Sequence, residues 1–402
     1  MLFMDLDGFK DINDSGGHST GDVVLQVVAD KLLSAQVEGE TLIRLGGDEF
    51  GVIIENIASP DLAFESAERY CNALKPTGDT SELDETVQIS VGVATTDRID
   101  HIADLQTRSN LAMYEAKNQQ GSAIVTFEEE FRVAANKSSA MLRALRSANY
   151  DEEFFLEYQP VVAIDDHEVL FVEALLRWES PTLGKVSPGE FIPIAERSGE
   201  IIKLGRWVLE QASAQIAEWN KNPRATSVAI SCNVAIQQLE TDDFLEHLAD
   251  AIKKAGAIEP DQLIIEVTES SATGPRTRAR LDGIRSMGHR VAIDDFGSGY
   301  SNLANLVHTP FDILKVDGRL LASLEELDET DDNSTEVLSA ISAIAGTSGA
   351  PVVCEGVEHD HQLQTLLESD ISHIQGWLIS KSRRADDVQQ VIADLHTLPL
   401  SA

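Results

Sequence analysis

Six apolar runs in the second half of the chain each lead into a side chain that could do chemistry. Glu173 follows Phe171-Val172, Asn233 follows Ile230-Ser231-Cys232, and Glu266 follows Ile264-Ile265, with Glu269 just beyond. Asp294 and Asp295 follow Val291-Ala292-Ile293, Lys315 follows Ile313-Leu314, and Glu355 follows Val352-Val353. Glu173, Glu266, Asp294, Asp295 and Glu355 would bring five negative charges to one place, and like charges at short range do not all ionise cheaply. Two divalent cations together with Lys315 would cancel them. Oxygen ligands with a single amide suit Mg²⁺ or Mn²⁺ better than zinc. Paired ions of this kind lower the pKa of a water and clamp a phosphoryl group for in-line attack, so metal-assisted phosphodiester hydrolysis is the expected chemistry.

A second constellation lies near the start. Gly46-Gly47-Asp48-Glu49-Phe50 places two carboxylates at a tight turn, and Asp5 sits at the end of the first apolar run. If those strands are neighbours, Asp5 and Asp48 can share a metal while the turn backbone approaches a nucleotide. Phosphoryl transfer uses that arrangement, with positioning supplying most of the catalysis.

Elements that could position these groups follow from periodicity. Leu2-Phe3-Met4 reads as a central strand, residues 23–33 have helical spacing with Asp22 near the start, and 42–45 and 49–54 read as a hairpin around the glycines. Helices are expected over 61–75 and 102–118, and a strand over 87–94. This makes a compact α+β or α/β unit ending near Phe127. Residues 128–149 are charged and Ala-rich, with Phe131, Ala135, Met141, Leu142 and Leu145 as apolar positions, and read as a linker helix. Strand runs are then expected over 154–162, 169–178, 227–234, 262–268, 290–295, 313–317, 351–355 and 373–379. Alternation with helices over that length is the pattern of a (β/α)₈-type barrel, whose chemistry sits where the strands run out. Adjacent side chains on a strand face opposite ways, so Asp294 and Asp295 reach one site only if the chain leaves the strand there, at Phe296-Gly297-Ser298-Gly299. The acidic run 325–332 reads as a solvated loop.

Composition narrows the partners. The 402 residues hold 68 acidic and 31 basic side chains, a net charge of −37, so tight sequence-independent binding to a nucleic-acid backbone is disfavoured. An anionic substrate then needs cations to mediate its approach. Hydrophobic residues at 43% rule out wholesale disorder. Cys71, Cys232 and Cys354 lack metal-binding or disulfide spacing and fit buried thiols in a reducing compartment. No run is long enough to span a bilayer and the start lacks a basic leader, so this chain is expected to be cytoplasmic, as itself or as the cytosolic part of a membrane-anchored protein.

Glu173-Ala174-Leu175-Leu176-Arg177-Trp178, Ile293-Asp294-Asp295-Phe296-Gly297-Ser298-Gly299-Tyr300-Ser301, Glu355-Gly356-Val357-Glu358 and Gln375-Gly376 occur in order. Together they resemble the EAL family of cyclic di-GMP phosphodiesterases from about Tyr150 to Ser382. The resemblance implies a modified (β/α)₈ barrel that linearises cyclic di-GMP to pGpG with Mg²⁺ or Mn²⁺. It implies metal ligation by Glu173, Asn233, Glu266, Asp294 and Glu355, with Asp295 on a second metal. Lys315 would hold or help deprotonate the attacking water, and Glu358 and Gln375 would support the site. Arg177 would contact a substrate phosphate, Gln159 would lie along the substrate, and Glu269 would steady the loop carrying Asp295. In that family the loop links dimer contacts to metal occupancy. Cys232, Cys354, Trp377 and Ser382 depart from commoner choices beside the chemistry.

Asp5-Leu6-Asp7-Gly8-Phe9-Lys10, Asn13-Asp14, Gly17-His18, Gly21-Asp22 and Arg44-Leu45 with the glycine hairpin resemble the GGDEF family, which joins two GTP into cyclic di-GMP. That resemblance implies Asp5 and Asp48 as metal ligands and Glu49 as an aid to deprotonation. It places Asn13 and Asp22 on guanine and Lys10 and Lys117 near phosphates, with Mg²⁺ accompanying GTP. The family's opening helix is absent, no Arg follows Ala116-Lys117, and an RxxD inhibitory site would need Arg at Val37 and Asp at Glu40. The expected organisation is a GGDEF, nucleotidyl-cyclase-like α+β domain at 1–127, a linker helix at 128–149 and an EAL domain at 150–402. The leading reading is cyclic di-GMP hydrolysis by a homodimer, with GTP acting as a regulator or a weak cyclase substrate. The alternatives are net synthesis and a catalytically silent cyclic di-GMP receptor.

Overall fold

The computed structural model describes residues 1–75, 87–96, 102–118, 123–256, 258–297, 309–321 and 333–395. Part of the loop expected after Phe296 (298–299) and the acidic run 325–332 lie outside them. The chain divides into two compact units, Met1–Ala140 and Met141–Ala402.

The first unit is built on five strands, β1 (Leu2–Leu6), β2 (Glu40–Gly46), β3 (Glu49–Ile54), β4 (Ile89–Val93) and β5 (Ile124–Thr126), in the order β2-β3-β1-β4-β5. All five residues of β1 are buried, as a central strand covered on both faces must be. Leu2, Met4 and Leu6 join Val24, Val28 and Ala67 in one core, while Phe3 meets Met113 on the other side. Those helical residues come from α2 (His18–Ala35), α3 (Pro60–Leu74) and α4 (Ile102–Lys117). A further helix, α1 (Phe9–Gly16), escapes periodicity: it is short and mostly polar, buries Phe9 alone, and starts after Gly8 at φ 71 with no side-chain cap. The β2–β3 hairpin turns at Gly47-Asp48, with Gly47 at φ 54 as the turn demands.

Where an inhibitory RxxD would end, Glu40 is instead built into the core. Tyr70 Oη donates to its carboxylate at 2.8 Å, Val37 N at 3.2 Å, and Arg69 forms an ion pair with it.

The second unit is an eight-stranded mixed barrel. Its strands are β6 (Phe154–Ala163), β7 (Val169–Ser180), β9 (Ile230–Asn233), β10 (Leu263–Thr268), β11 (Arg290–Phe296), β12 (Ile313–Val316), β13 (Val352–Cys354) and β14 (His373–Ile374), with β8 (Gly184–Val186) as a short edge strand on β7. β6 runs antiparallel to both β7 and β14 and closes the ring, whereas the remaining ring neighbours are parallel and the edge strand β8 is antiparallel to β7. The reason is the connection: residues 164–168 are too few for a helical crossover, so β6–β7 is a hairpin. Two expected runs shrink by half or more. Residues 227–234 pair only from Ile230, and 373–379 pair only at His373–Ile374 because the chain turns at Gly376. The expected linker helix is helical over Glu129–Ser147, and its Met141 and Leu145 join Phe154, Trp178 and Phe191 in a core of the second unit.

Inside the barrel, Val161, Phe171, Ala229, Ile264, Ala292, Ile313 and Val353 form one apolar layer. Two residues further along the parallel strands stand Glu173, Ser231, Glu266, Asp294, Lys315 and Glu355, and two residues back on the reversed β6 stands Gln159. The two-residue period of a strand therefore stacks a polar layer directly on an apolar floor.

Glu40 carries the prediction for this unit. Nearly buried, its carboxyl is opposed by desolvation, but hydrogen bonds from Arg69, Tyr70 and Val37 outweigh this and hold it below the usual range. A depressed folded pKa contributes stability that is present above the unfolded value and lost as pH falls through the folded one. Glu40→Ala is expected to destabilise the first unit by about 2 kcal/mol at pH 7. In urea melts the gap from wild type should close below about pH 4; a gap independent of pH would contradict this account.

Candidate active site

Lys315 organises the polar layer. Its side chain is fully buried, and its Nζ lies 2.6 Å from Glu355, 3.0 Å from Glu266, 3.3 Å from Glu173 and 3.5 Å from Asp294. Carboxylates from β7, β10, β11 and the end of β13 meet one ammonium only because those strands form a closed ring. Glu173 is not at a strand end as expected. β7 continues to Ser180 because β6 and β8 both pair with its extension, so Glu173 sits mid-strand opposite Gln159. Asn233 Nδ2 donates to Glu173 Oε1 at 2.7 Å and Gln375 Nε2 donates to Oε2 at 2.6 Å. Gln375 also reaches Gln159 Oε1 at 3.4 Å, and Gln159 Nε2 donates to the Ser380 carbonyl.

Asp294 and Asp295 do share a site, although the strand does not end between them. Pairing with β12 slips between Ile293 and Phe296, and Asp295 sits at φ 57, left-handed for a non-glycine residue. That irregularity turns both carboxylates the same way; strain of this kind belongs to functional sites. Asp294, Asp295 and Glu355 offer oxygens all within 4.8 Å of one another, and no other His, Cys, Asp or Glu trio among the described residues converges so closely. Just beyond β10, Glu269 N donates to the Asp294 carbonyl at 3.0 Å.

Charge is unbalanced here: four carboxylates contact one ammonium and Asp295 adds a fifth beside them. Burial raises Glu266 well above the ordinary carboxyl range, with Glu173 and Asp294 adding to the effect against Lys315. Burial likewise raises Asp294, and pushes Glu355 up to about 8. For Glu173, burial is outweighed by Lys315, Gln375 and Asn233, which hold it below its usual range. Lys315 suffers desolvation too, but the surrounding carboxylates more than compensate and raise it well above its ordinary value.

Arg177 is held at the rim. Its Nε donates to Glu157 at 2.9 Å and its Nη2 to Ser382 Oγ at 2.9 Å, while Ser382 donates to Glu157 at 2.7 Å. Ser382, which the resemblance places beside the chemistry, is thus a partner of Arg177, whereas the sequence reading does not name Glu157. Alternation along β6 puts Glu157 on the face of Gln159, the one signal that could have found it. Glu358 is exposed on the same cleft, and Ser231 is buried beside Glu266.

In the first unit β1 and β3 are neighbours, with Asp5 opposite Glu49. Asp48 and Glu49 lie close enough to act on Asp5, but these three do not converge as the barrel trio does. Lys117, expected near phosphates, contacts Asp5 Oδ1 at 2.6 Å. Burial nonetheless raises the Asp5 carboxyl above its usual range, against Lys117. Lys10 and Asn13 lie on α1, Lys10 exposed, and Asp22 is exposed on α2.

The EAL domain family profile matches residues 142–382, and the diguanylate cyclase, GGDEF domain profile matches residues 1–123. The chain is a tandem GGDEF–EAL protein of the cyclic di-GMP signalling family. It is similar to the bifunctional diguanylate cyclase/cyclic di-GMP phosphodiesterase MucR of Pseudomonas aeruginosa, 34% identical over 98% of this chain and 57% of MucR. The cyclic di-GMP phosphodiesterase NbdA of the same organism is 32% identical over 95% of this chain and 48% of NbdA. The chain thus spans about half the length of these relatives. A solved structure described as PaMucR phosphodiesterase in complex with c-di-GMP matches 62% of this chain and 99% of its own, at 33% identity and a TM-score of 0.57. No helix among the described residues is long and apolar enough to cross a membrane.

The EAL unit's donor set fits divalent cations. Glu266 Oε1, Asp294 Oδ1 and Gln375 Oε1 are buried without a hydrogen-bond partner, and excess carboxylate charge awaits neutralisation. Since Glu266, Asp294 and Glu355 hold protons above the usual range, cation binding must displace them. Affinity for Mg²⁺ is therefore expected to strengthen from about pH 6.5 to about pH 8.5, with proton release visible as buffer-dependent heats in calorimetry. The sign for stability follows the same shifts. Carboxyls raised in the folded state bind more protons there than in the unfolded chain, so without divalent ions stability should fall as pH rises through 8. A pH-independent affinity would contradict this charge balance.

Proposed function

We propose that this chain hydrolyses cyclic di-GMP to pGpG at the barrel mouth with Mg²⁺ or Mn²⁺. Residues 150–402 are the EAL domain, 1–127 the GGDEF domain and 128–149 the linking helix, working in the cytoplasm as a homodimer. The observation that carries this reading is Lys315 among four carboxylates, beside the converging Asp294, Asp295 and Glu355. Glu173, Asn233, Glu266, Asp294 and Glu355 would hold one cation and Asp295 a second. When bound, such ions neutralise phosphate charge and lower the pKa of water.

The residues do the rest. Gln375 and Asn233 fix both oxygens of Glu173, so this carboxylate has one available orientation. Lys315, kept as an ammonium by its acidic neighbours, would hold the attacking water and help its deprotonation by favouring hydroxide, the proton passing to a neighbouring carboxylate. A new bond forms from water oxygen to phosphorus, the P–O3′ bond breaks, and the 3′ oxygen leaves as a hydroxyl after taking a proton. Gln159 and Glu358 line the cleft along the dinucleotide, and Arg177, oriented by Glu157 and Ser382, meets a phosphate. Glu269 braces the Asp294–Asp295 segment through its backbone bond.

The GGDEF unit is proposed to bind GTP with Mg²⁺ through Asp5 and Asp48, with Glu49, Asn13, Asp22, Lys10 and Lys117 around the nucleotide. Regulation is favoured over synthesis by one observation, the Lys117 ion pair that already neutralises Asp5.

Chromatography after incubation with cyclic di-GMP and Mg²⁺ is expected to show pGpG, and with GTP alone little or no cyclic di-GMP. Glu173→Ala should lower hydrolysis by about 10³-fold or more. Ca²⁺ should bind yet support little turnover, its longer bonds misplacing the water. Asp48→Ala should leave hydrolysis intact and remove any response to GTP. Near-normal turnover in Glu173→Ala would count against the site; cyclic di-GMP accumulating from GTP would reverse the direction of the activity.

A further inference from the structure

Trp377 is out of place as a structural residue. Trp178 and Trp219 are buried and Trp207 half-buried, but Trp377 is 61% exposed. A single exposed hydrophobic side chain is ordinary on a protein surface, so what marks this indole is its support and the cleft it lines. Its backbone is firmly held. Gln375 N donates to the Cys354 carbonyl, Val357 N to Gln375, and Leu378 N to Val357, while Ile379 N and Ser380 N both donate to Gly376. The two segments cross so closely that a Cβ on Gly376 would stand 1.9 Å from the Val357 carbonyl oxygen. Only glycine fits there, and the indole beside it is presented by a rigid support.

The indole lines the same cleft as Gln159, Glu173, Asp294 and Glu355. Lys381 Nζ lies 4.5 Å from its ring centroid, placing a positive charge at the lip of an otherwise acidic opening. A pre-positioned aromatic face with an ammonium beside it complements a nucleotide, which offers a base to stack and a phosphate to pair. We infer that Trp377 is the stacking platform for one purine of the substrate, with Lys381 drawing the anion to that lip. This deepens the reading of the barrel as a cyclic di-GMP phosphodiesterase and rests on it. In the competing view the indole serves only as a surface seat for the lysine.

Steady-state kinetics on the full chain separate the two. Trp377→Ala is expected to raise KM for cyclic di-GMP roughly tenfold while kcat stays within about twofold, the signature of lost binding. Trp377→Phe, which keeps a stacking face, should recover most of the loss. In a second arm Ca²⁺ replaces Mg²⁺, and added cyclic di-GMP should quench tryptophan fluorescence in the wild type far more than in Trp377→Phe. An unchanged KM in Trp377→Ala, or equal quenching in Trp377→Phe, overturns the assignment. If the wild type binds the dinucleotide without turning it over, the hydrolase reading fails and the quench alone decides the stacking.

Discussion

One buried ammonium holds the second unit's chemistry together. Moving Lys315 out of water alone would cost several kcal/mol, and so would moving any of its acidic neighbours. Each is tolerable because the others are within 3.5 Å. That mutual dependence explains why the barrel must close: strands far apart in sequence have to deliver their side chains to one point. It also explains the apolar layer beneath, which lowers the local dielectric and makes every charge above it count for more. Since one ammonium cannot neutralise four carboxylates, the surplus is met by protons or by cations. The raised acids and the affinity proposed for divalent ions are two consequences of the same imbalance.

The first unit solves a similar problem differently. There Asp5 has its own lysine, and Asp48 and Glu49 lie on a half-exposed turn where water shares the charge. The demand for a cation is accordingly weaker. At the opposite end of β2, Glu40 is buried against Tyr70 and paired with the half-exposed Arg69.

Much of this was legible in the sequence because burial and period leave strong marks. Phe171 to Glu173, Ile264 to Glu266, Ala292 to Asp294 and Ile313 to Lys315 are all two-residue steps from floor to polar layer. The central strand Leu2–Leu6 and the glycine hairpin were equally plain. What stayed hidden depends on backbone geometry or on distant partners. The left-handed Asp295 and the slipped register after Ile293 have no composition signature, since two adjacent aspartates do not reveal which backbone conformation each takes. Helix Phe9–Gly16 is too short and polar to show a period. The clamp on Arg177 joins residues 205 positions apart, and the Lys117–Asp5 pair spans most of the first unit. Strand His373–Ile374 is two residues long, and a run of apolar letters overstated it because the turn at Gly376 is imposed by Val357.

The surplus charge is the claim on which the functional account turns, and electron paramagnetic resonance of the Mn²⁺-loaded chain addresses it most directly. A spin-coupled pair of ions is expected in the wild type, reduced to an uncoupled single-ion signal in Asp295→Asn. Only isolated, uncoupled Mn²⁺ in the wild type, with no change on that substitution, would show that the acidic mouth holds no paired cations and would contradict the account.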